Sequence, residues 1–468
     1  MSAQVSRGTL QSEVIMDDVS NNENKETGLP PVDEEKMAKL KARLAAKEAA
    51  QETPKESEMT DTQQVQPEQK VEKKKSINFG IVGSGQAGNR IAEAFYKLGY
   101  DAVAINTAPQ DLKFITIPES NKLLLDYSLG GAAKEIEIGF RAAEHYKTQI
   151  AELVSHQLAD AQILILALSL GGGSGAGSCE VLVDILSATG KPLAVITVLP
   201  MNSEDVQTKD NAIKTLAKLT RLTQSKKVHN LIVIDNAKIE TIYSNVSQID
   251  FFGMANKAIV EPIDAFNTLS SLESSVKGLD PMEFAKLFTN GDGLTVYGSL
   301  KITDYKTEDA IALAVVDSLD SNLLAGGFNL KQSKYVGFMI VANEKVWRDI
   351  PASQVSYALA CVDEQCGSPE TMFKGIYTDN SMPDDYVMIY SMFSGLGLPD
   401  MRVQQLKKEI NDLSSVVKNK DVQRNMSLTL DTGKDQAVSK SQELKEKIAQ
   451  RNSAFGRLTN STVIDRRK

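Results

Sequence analysis

Two glycine-rich segments carry the most specific chemistry in this sequence. Gly171 to Ser178 reads GGGSGAGS, between an almost continuous apolar run, Ala161 to Leu168, and the stretch Cys179 to Leu186. The run reads as a buried strand and the stretch as a helix. Gly83 to Gly88 reads GSGQAG, between the apolar segment Ser76 to Val82 and a helical stretch, Asn89 to Leu98. Glycine at a strand-to-helix turn tolerates positive φ and lets backbone N–H groups approach a ligand closely. The helix N-terminus behind it adds unpaired donors and a positive dipole end. Such turns cradle phosphate. No lysine follows either set of glycines, which excludes the GxxxxGK[ST] loop. A plain Gly/Ser linker is the competing reading, and the flanking strand and helix argue against it.

The spacing Gly83, Gly85, Gly88 also matches GxGxxG, which in dinucleotide-binding units is followed by an acid at the end of the second strand. That strand, Ala102 to Ile105, runs into Asn106, Thr107 and Ala108. A nicotinamide-dinucleotide module therefore stays a lesser alternative. One carboxylate pair stands out, Asp280 and Glu283 in DPME. Aspartate at an N-cap, proline at N1 and glutamate at N3 form a capping box, so these residues alone point to a structural role.

The elements that must position these groups alternate along the chain. Strands at Ser76–Val82, Ala102–Ile105, Ala161–Leu168, Pro192–Leu199 and Leu231–Asp235 are separated by helical stretches, one of them a single long helix over 139–157. This is the pattern of a parallel sheet wound on both faces, with its glycine loops at the strand C-termini. A long helix over 251–278 contains Pro262, and proline removes an N–H, so a kink is expected there. A second α/β unit follows, ending in two strands, Met372–Tyr377 and Tyr386–Phe393, read as a pair.

The 468 residues carry a net charge of −9, unevenly spread. Residues 1–75 are net −3 and residues 401–468 net +7, leaving −13 on 76–400. An acidic body is no nucleic-acid surface, whereas the basic tail could meet something anionic. Both terminal segments are polar and poor in aromatics and read as largely disordered, although MAKLKARLAAKEAA, within 34–50, has helix-forming composition and Met401 to Lys418 and Lys440 to Gln450 could be helical. Cys179, Cys361 and Cys366 make neither a disulfide framework nor, with three histidines, a metal pattern. The first residues lack the apolar core of a signal peptide, and no apolar run approaches the ~18 residues of a membrane span.

Taken in order across 76–400, these motifs resemble the tubulin and FtsZ superfamily of polymerising GTPases, closest in character to TubZ-like or phage tubulin-like members. GGGSGAGS resembles the family's GGGTGTG or GGGTGSG signature. Gly85-Gln86-Ala87-Gly88-Asn89 resembles the GQCGN loop, and Asn106-Thr107 the INTD loop, with Ala108 at the acid. Gly130 to Ala133 sits where the family places its γ-phosphate loop. Pro200 and Glu204 resemble the ribose loop PFxFE, with Thr208 and then Lys209 where an arginine is usual. Asp235-Asn236 resembles the IPN turn, and Phe252-Gly253-Met254-Ala255-Asn256 resembles YGDLN. Asp280-Pro281-Met282-Glu283-Phe284 resembles DLTEF.

The resemblance implies an α/β architecture: a disordered extension over 1–75, a Rossmann-like GTP-binding domain over 76–250, a central helix over 251–278, a smaller α/β activation domain over 279–400, and a basic, largely disordered tail over 401–468. It implies phosphate contacts from Gly85, Gln86, Ala87, Asn89, Gly131, Ala132, Gly171, Gly172, Gly173, Ser174 and Gly175. Glu204 would meet the ribose, Phe252 would stack on the base, and the amides of Asn236 and Asn256 would pair with guanine. GTP or GDP would bind with Mg²⁺ held by the nucleotide and waters, Gln86 being able to orient one water. Asp280 and Glu283 would act in trans on the nucleotide of the next subunit. A helix over 252–277 would span ~39 Å, too far for these acids to reach their own nucleotide. The implied protein is a head-to-tail homopolymer in a bacterial host cytoplasm that segregates or positions plasmid or phage DNA, its tail meeting a DNA-bound adaptor, with no membrane partner. An FtsZ-type division protein is the alternative within the family, and the final residues do not resemble the FtsZ membrane-anchor peptide.

Overall fold

The computed structural model describes residues 74–428 apart from residues 275 and 308, together with residue 445. The expected helix within 34–50 and one expected over 440–450 lie outside these residues, residue 445 aside. The first half alternates: β1 Phe79–Ser84, α1 Gly85–Lys97, β2 Asp101–Asn106, α2 Pro109–Lys113, β3 Lys122–Leu124, α3 Ile136–His145, α4 Lys147–Gln157, β4 Ile163–Ser169, α5 Ser174–Ser187, β5 Leu193–Leu199, α6 Val206–Gln224 and β6 Asn230–Asp235. Then come α7 Asn236–Ile242, α8 Gln248–Leu269 and α9 Pro281–Thr289. The second half holds β7 Leu294–Ile302, α10 Ala310–Ser321, β8 Tyr335–Ala342, α11 Glu344–Arg348, α12 Ala352–Gln365, β9 Thr371–Thr378, β10 Val387–Leu396 and α13 Asp400–Leu428.

One ten-stranded sheet takes the order β3-β2-β1-β4-β5-β6-β7-β10-β8-β9. Every pair from β3 to β7 is parallel, and β10 is antiparallel to both neighbours. Because the parallel strands are covered on both faces, their residues are apolar nearly throughout, yet they still alternate in destination. In β4, Leu164, Leu166 and Leu168 join the core under α5 and α6. Ile163, Ile165 and Ala167 join the core under α1 and α8, with Ile91, Phe95, Ile263 and Phe266. Connections leave β1 toward β2 on one side and β4 toward β5 on the other, so a crevice opens between the C-terminal ends of β1 and β4. Ligands of such sheets bind at that switch point.

Four expectations need correcting. The helix expected over 139–157 is two helices that meet at Tyr146, whose hydroxyl donates to Asp126 O at 3.2 Å. The central helix runs Gln248–Leu269, not 251–278. It passes through Pro262 and stops where Ser270 and Ser271 hydroxyls donate to Phe266 O and Thr268 O. Beyond it the chain is drawn to β9, with Ile376 N donating to Lys277 O at 2.8 Å. The final two strands are not neighbours, because β10 lies between β7 and β8. Residues 400–428, in a tail expected to be largely disordered with helix possible only over 401–418, form α13, which packs on α6 with Arg402 and Leu406 buried.

Candidate functional site

Three loops converge at the switch point. Gly85, at φ +70°, opens α1, and a Cβ there would stand 2.9 Å from Gly175 N. Only glycine fits both that backbone conformation and that approach. A Cβ on Gly173 would stand 2.8 Å from the Ala132 methyl. Hydroxyl pairs stitch the loops together, Ser84 with Ser178 at 2.7 Å and Thr107 with Ser174 at 2.6 Å. Asn211 of α6 donates to Lys134 O at 2.8 Å and Gly171 O at 3.2 Å. Lys134 also pairs with Asp205, the N-cap of α6. Partial burial works against ionising Asp205, but Lys134 and the amide and hydroxyl of Thr208 outweigh it and hold the carboxyl at about 2.

This edge is built but unsatisfied. The N-caps of α1 and α5, Ser84 and Gly173, supply no side-chain cap bond, and the first amides of a helix have no partner within it, an arrangement suited to an anionic ligand. The loop before α3 holds Gly130, Gly131, Ala133 and Lys134 at positive φ, and a Cβ on Gly130 would meet nothing within 4 Å. Strain of this kind collects at ligand clamps. Asn89 is fully buried, and neither its amide oxygen nor its nitrogen has a partner. An orphaned buried amide costs about 1–3 kcal/mol, so its presence fits a site completed by a polar ligand.

Beside the phosphate loops lies a cavity of about 730 Å³ between α1, α7 and α8. It brings together Gln86, Ala87, Asn236, Phe252 and Asn256 from three separate stretches. Phe252 is exposed, as a ring awaiting a stacking partner would be. Glu204 is half-buried in the loop after β5 and does not line the cavity. Thr208 serves the α6 cap, and the buried Lys209 donates to Asn202 O at 2.7 Å and pairs with Glu409 of α13 at 2.9 Å. Lys209 thus faces the C-terminal helix.

Asp280 and Glu283 lie elsewhere. Asp280 accepts from Glu283 N at 2.7 Å, and Glu283 accepts from Asp280 N at 3.1 Å, a complete capping box. Phe284 and Phe288 of the same helix pack on Phe79, the first residue of β1, with ring centroids 6.1 and 5.1 Å apart. Phe288 O accepts from Asn230, the first residue of β6. The acids therefore sit at the N-terminal edge of the sheet. The glycine loops sit at its C-terminal edge, six residues and roughly 20 Å away.

Two family models match the chain: the GTPase domain of the Tubulin/FtsZ family over residues 78–244, and the C-terminal domain of Tubulin/FtsZ-like protein TubZ-like over residues 265–407. The chain belongs to the tubulin/FtsZ superfamily. Among curated relatives, the tubulin-like protein CetZ of Pyrococcus horikoshii is 26% identical over 331 residues, 68% of this chain and 85% of that protein. The tubulin-like protein TubZ of Bacillus cereus is 24% identical over 367 residues, 72% of this chain and 82% of that protein. Among solved structures, a GTPγS-form protofilament of Bacillus thuringiensis TubZ superposes with TM-score 0.67 at 19% identity, covering 77% of this chain and 96% of that one. A two-stranded TubZ filament gives 0.68 at 20%, covering 77% and 94%. A GTPase-domain match over the first glycine loop weighs against the dinucleotide alternative.

Two further residues that sequence reasoning passed over lie at or near this edge of the tubulin/FtsZ superfamily fold. Arg90, on α1, lines the cavity beside Gln86 and was detectable as the next residue of the glycine loop's helix. Arg402, on α13, reaches the end of β6. Its Nε lies 2.8 Å from Asp235 Oδ2, and its Nη2 donates to Pro200 O at 2.9 Å. Burial raises the Asp235 carboxyl above its ordinary range, against the pull of Arg402 and the Ala237 amide. Nothing local in the sequence marks Arg402. Among the described residues no helix is long and apolar enough to cross a membrane.

Proposed function

We propose that this protein binds and hydrolyses GTP and assembles head to tail, the acids of one subunit completing the nucleotide site of the next. The observation that carries this reading is the opposition of the two sheet edges: an unsatisfied phosphate cradle at one, an acid pair at the other. The backbone donors of α1 and α5 and the loop at Gly131 and Ala132 hold the phosphates, while Asn236 and Asn256 offer donors and acceptors to guanine and Phe252 offers its face. Mg²⁺ entering with the nucleotide would supply charge neutralisation at the transferred group, Gln86 being the residue placed to orient one of its waters. Asp280 and Glu283 of a neighbouring subunit polarise the attacking water, and phosphoryl transfer requires little more than such positioning. The test is GTPase rate per molecule against protein concentration, with electron microscopy of the same samples. A steep rise above a critical concentration, together with filaments, is expected. A flat profile, or tight binding of ATP or NADH in preference to GTP, overturns the reading.

The TubZ-like C-terminal model favours a role of the TubZ kind, segregating or positioning DNA, over division of the FtsZ kind. One neighbouring structure is described as a type III plasmid segregation TubZ. Residues 429–468 carry nine basic against five acidic groups, which suits an adaptor with an anionic face. Since α13 runs to Leu428, the informative deletion begins at 429. It is expected to leave GTP-dependent assembly intact and abolish adaptor–DNA contact.

A further inference from the structure

Arg402 belongs to the first turn of α13, yet it is only 6% exposed. Its guanidinium is shared among three segments. Nε stands 2.8 Å from Asp235 Oδ2, and Nη2 donates to Asp235 Oδ1 at 3.3 Å and to Pro200 O at 2.9 Å. Nη1 donates to Asn202 Oδ1 at 3.2 Å and lies 3.8 Å from Glu409 Oε1. Glu409, one further stretch along α13, holds Lys209, whose Nζ donates to Asn202 O. Two buried cations, one on each side of the interface, thus close on the same turn after β5.

The Asp235 partner adjoins the nucleotide pocket. Asp235 ends β6 and is the N-cap of α7, accepting from Ala237 N at 3.1 Å. The next residue, Asn236, lines the base cavity. A carboxylate that holds both a helix cap and a planar guanidinium has little freedom, and neither has the residue that follows it. Pro200 and Asn202 begin the loop that leads through Glu204 to the α6 cap at Asp205. Undocking α13 would strip Asp235, only 4% exposed with the helix in place, of its guanidinium partner and would free both loops.

We propose that Arg402 is a positioning residue of the nucleotide site: through Asp235 and the Pro200–Asn202 turn it sets Asn236, so that docking of the C-terminal helix and occupation of the base pocket favour one another. The inference rests on the guanine-nucleotide reading above. Coupling of this kind is reciprocal. If the docked helix raises nucleotide affinity, bound nucleotide holds the helix down by the same factor.

The test uses the full chain with GDP, below any assembly threshold, in two measurements. In the wild type, GDP is expected to slow amide exchange over residues 400–412 by about fivefold or more. In Arg402→Met, Kd for GDP is expected to rise about tenfold, and Arg402→Lys, which keeps the charge but not the fork, falls between. A purely structural staple predicts a lower melting temperature with Kd and exchange indifferent to each other, and that result overturns the proposal. Should Arg402→Met fail to fold, the neutral pair Arg402→Met with Asp235→Asn removes the buried charge, and the wild-type exchange measurement decides unaided. Wild-type protein that binds no GDP overturns the nucleotide reading and the coupling with it. GDP binding with unchanged exchange overturns the coupling alone.

Discussion

The two edges of this sheet differ in how completely they satisfy themselves. At the N-terminal edge, Asp280 and Glu283 cap each other and α9 is anchored through Phe284 and Phe288. At the C-terminal edge, two helix N-termini stand without side-chain caps, four residues of one loop sit at positive φ, and the Asn89 amide is buried without a partner. Groups that are finished in the monomer stabilise the monomer, and groups left open report what the monomer lacks. Catalysis of the proposed kind joins the two, since a neighbour's finished edge would meet this open one.

The largest expected effect tests whether the finished edge has a second role. Glu283→Gln keeps a side chain able to accept from Asp280 N, so folding stability should stay within a few tenths of a kcal/mol. GTP turnover is expected to fall ~10²-fold or more with nucleotide binding retained and filaments spared or stabilised. Glu283→Ala adds a loss of about 1 kcal/mol from the cap. Near-normal turnover in both variants would leave only the capping role.

Asn89 tests the open edge. Asn89→Leu keeps the branched skeleton and removes the orphaned amide. Ligand-free stability is expected to be unchanged or higher by about 1 kcal/mol, while GDP affinity falls about tenfold. Thermal melts with and without GDP check both at once. A variant that loses stability and keeps affinity would show that Asn89 serves the fold, and the contrast between the edges would fail there.

The smallest effect belongs to the finished edge and to pH. His229 precedes β6, and its Nδ1 accepts from Leu193 N at 3.1 Å. Burial and then the nearby Lys226 charge push its pKa below 6.5. The unfolded chain therefore takes up a proton before the folded one does. His229 contributes stability that is fully present above about pH 6.5 and is lost as pH falls through its depressed folded value. Denaturant melts of wild type and His229→Gln between pH 7.5 and 5 are expected to converge toward the acid end. Parallel curves would remove the histidine from the account.

Much of the site was legible because its chemistry is local. A glycine loop between a strand and a helix, and aspartate and glutamate three apart around a proline, specify their own geometry within a few residues, and both appear where the sequence places them. Alternation of apolar residues likewise announced the parallel strands. What the sequence could not decide were choices between partners far apart in the chain. The last two strands read as a pair, yet β10 enters between β7 and β8 because its pairing surface is generic backbone. The central helix stops at Leu269, where the Ser270 and Ser271 hydroxyls bond back to Phe266 O and Thr268 O, and Lys277 beyond it is held by β9, about a hundred positions on. Arg402 looks like one more charge in a basic tail. Only the docking of α13 brings it to Asp235, 167 positions earlier, and makes a surface cation into a buried one. Short-range rules fix caps, turns and strand faces, whereas the pairing of distant surfaces depends on what the whole fold leaves available to bury.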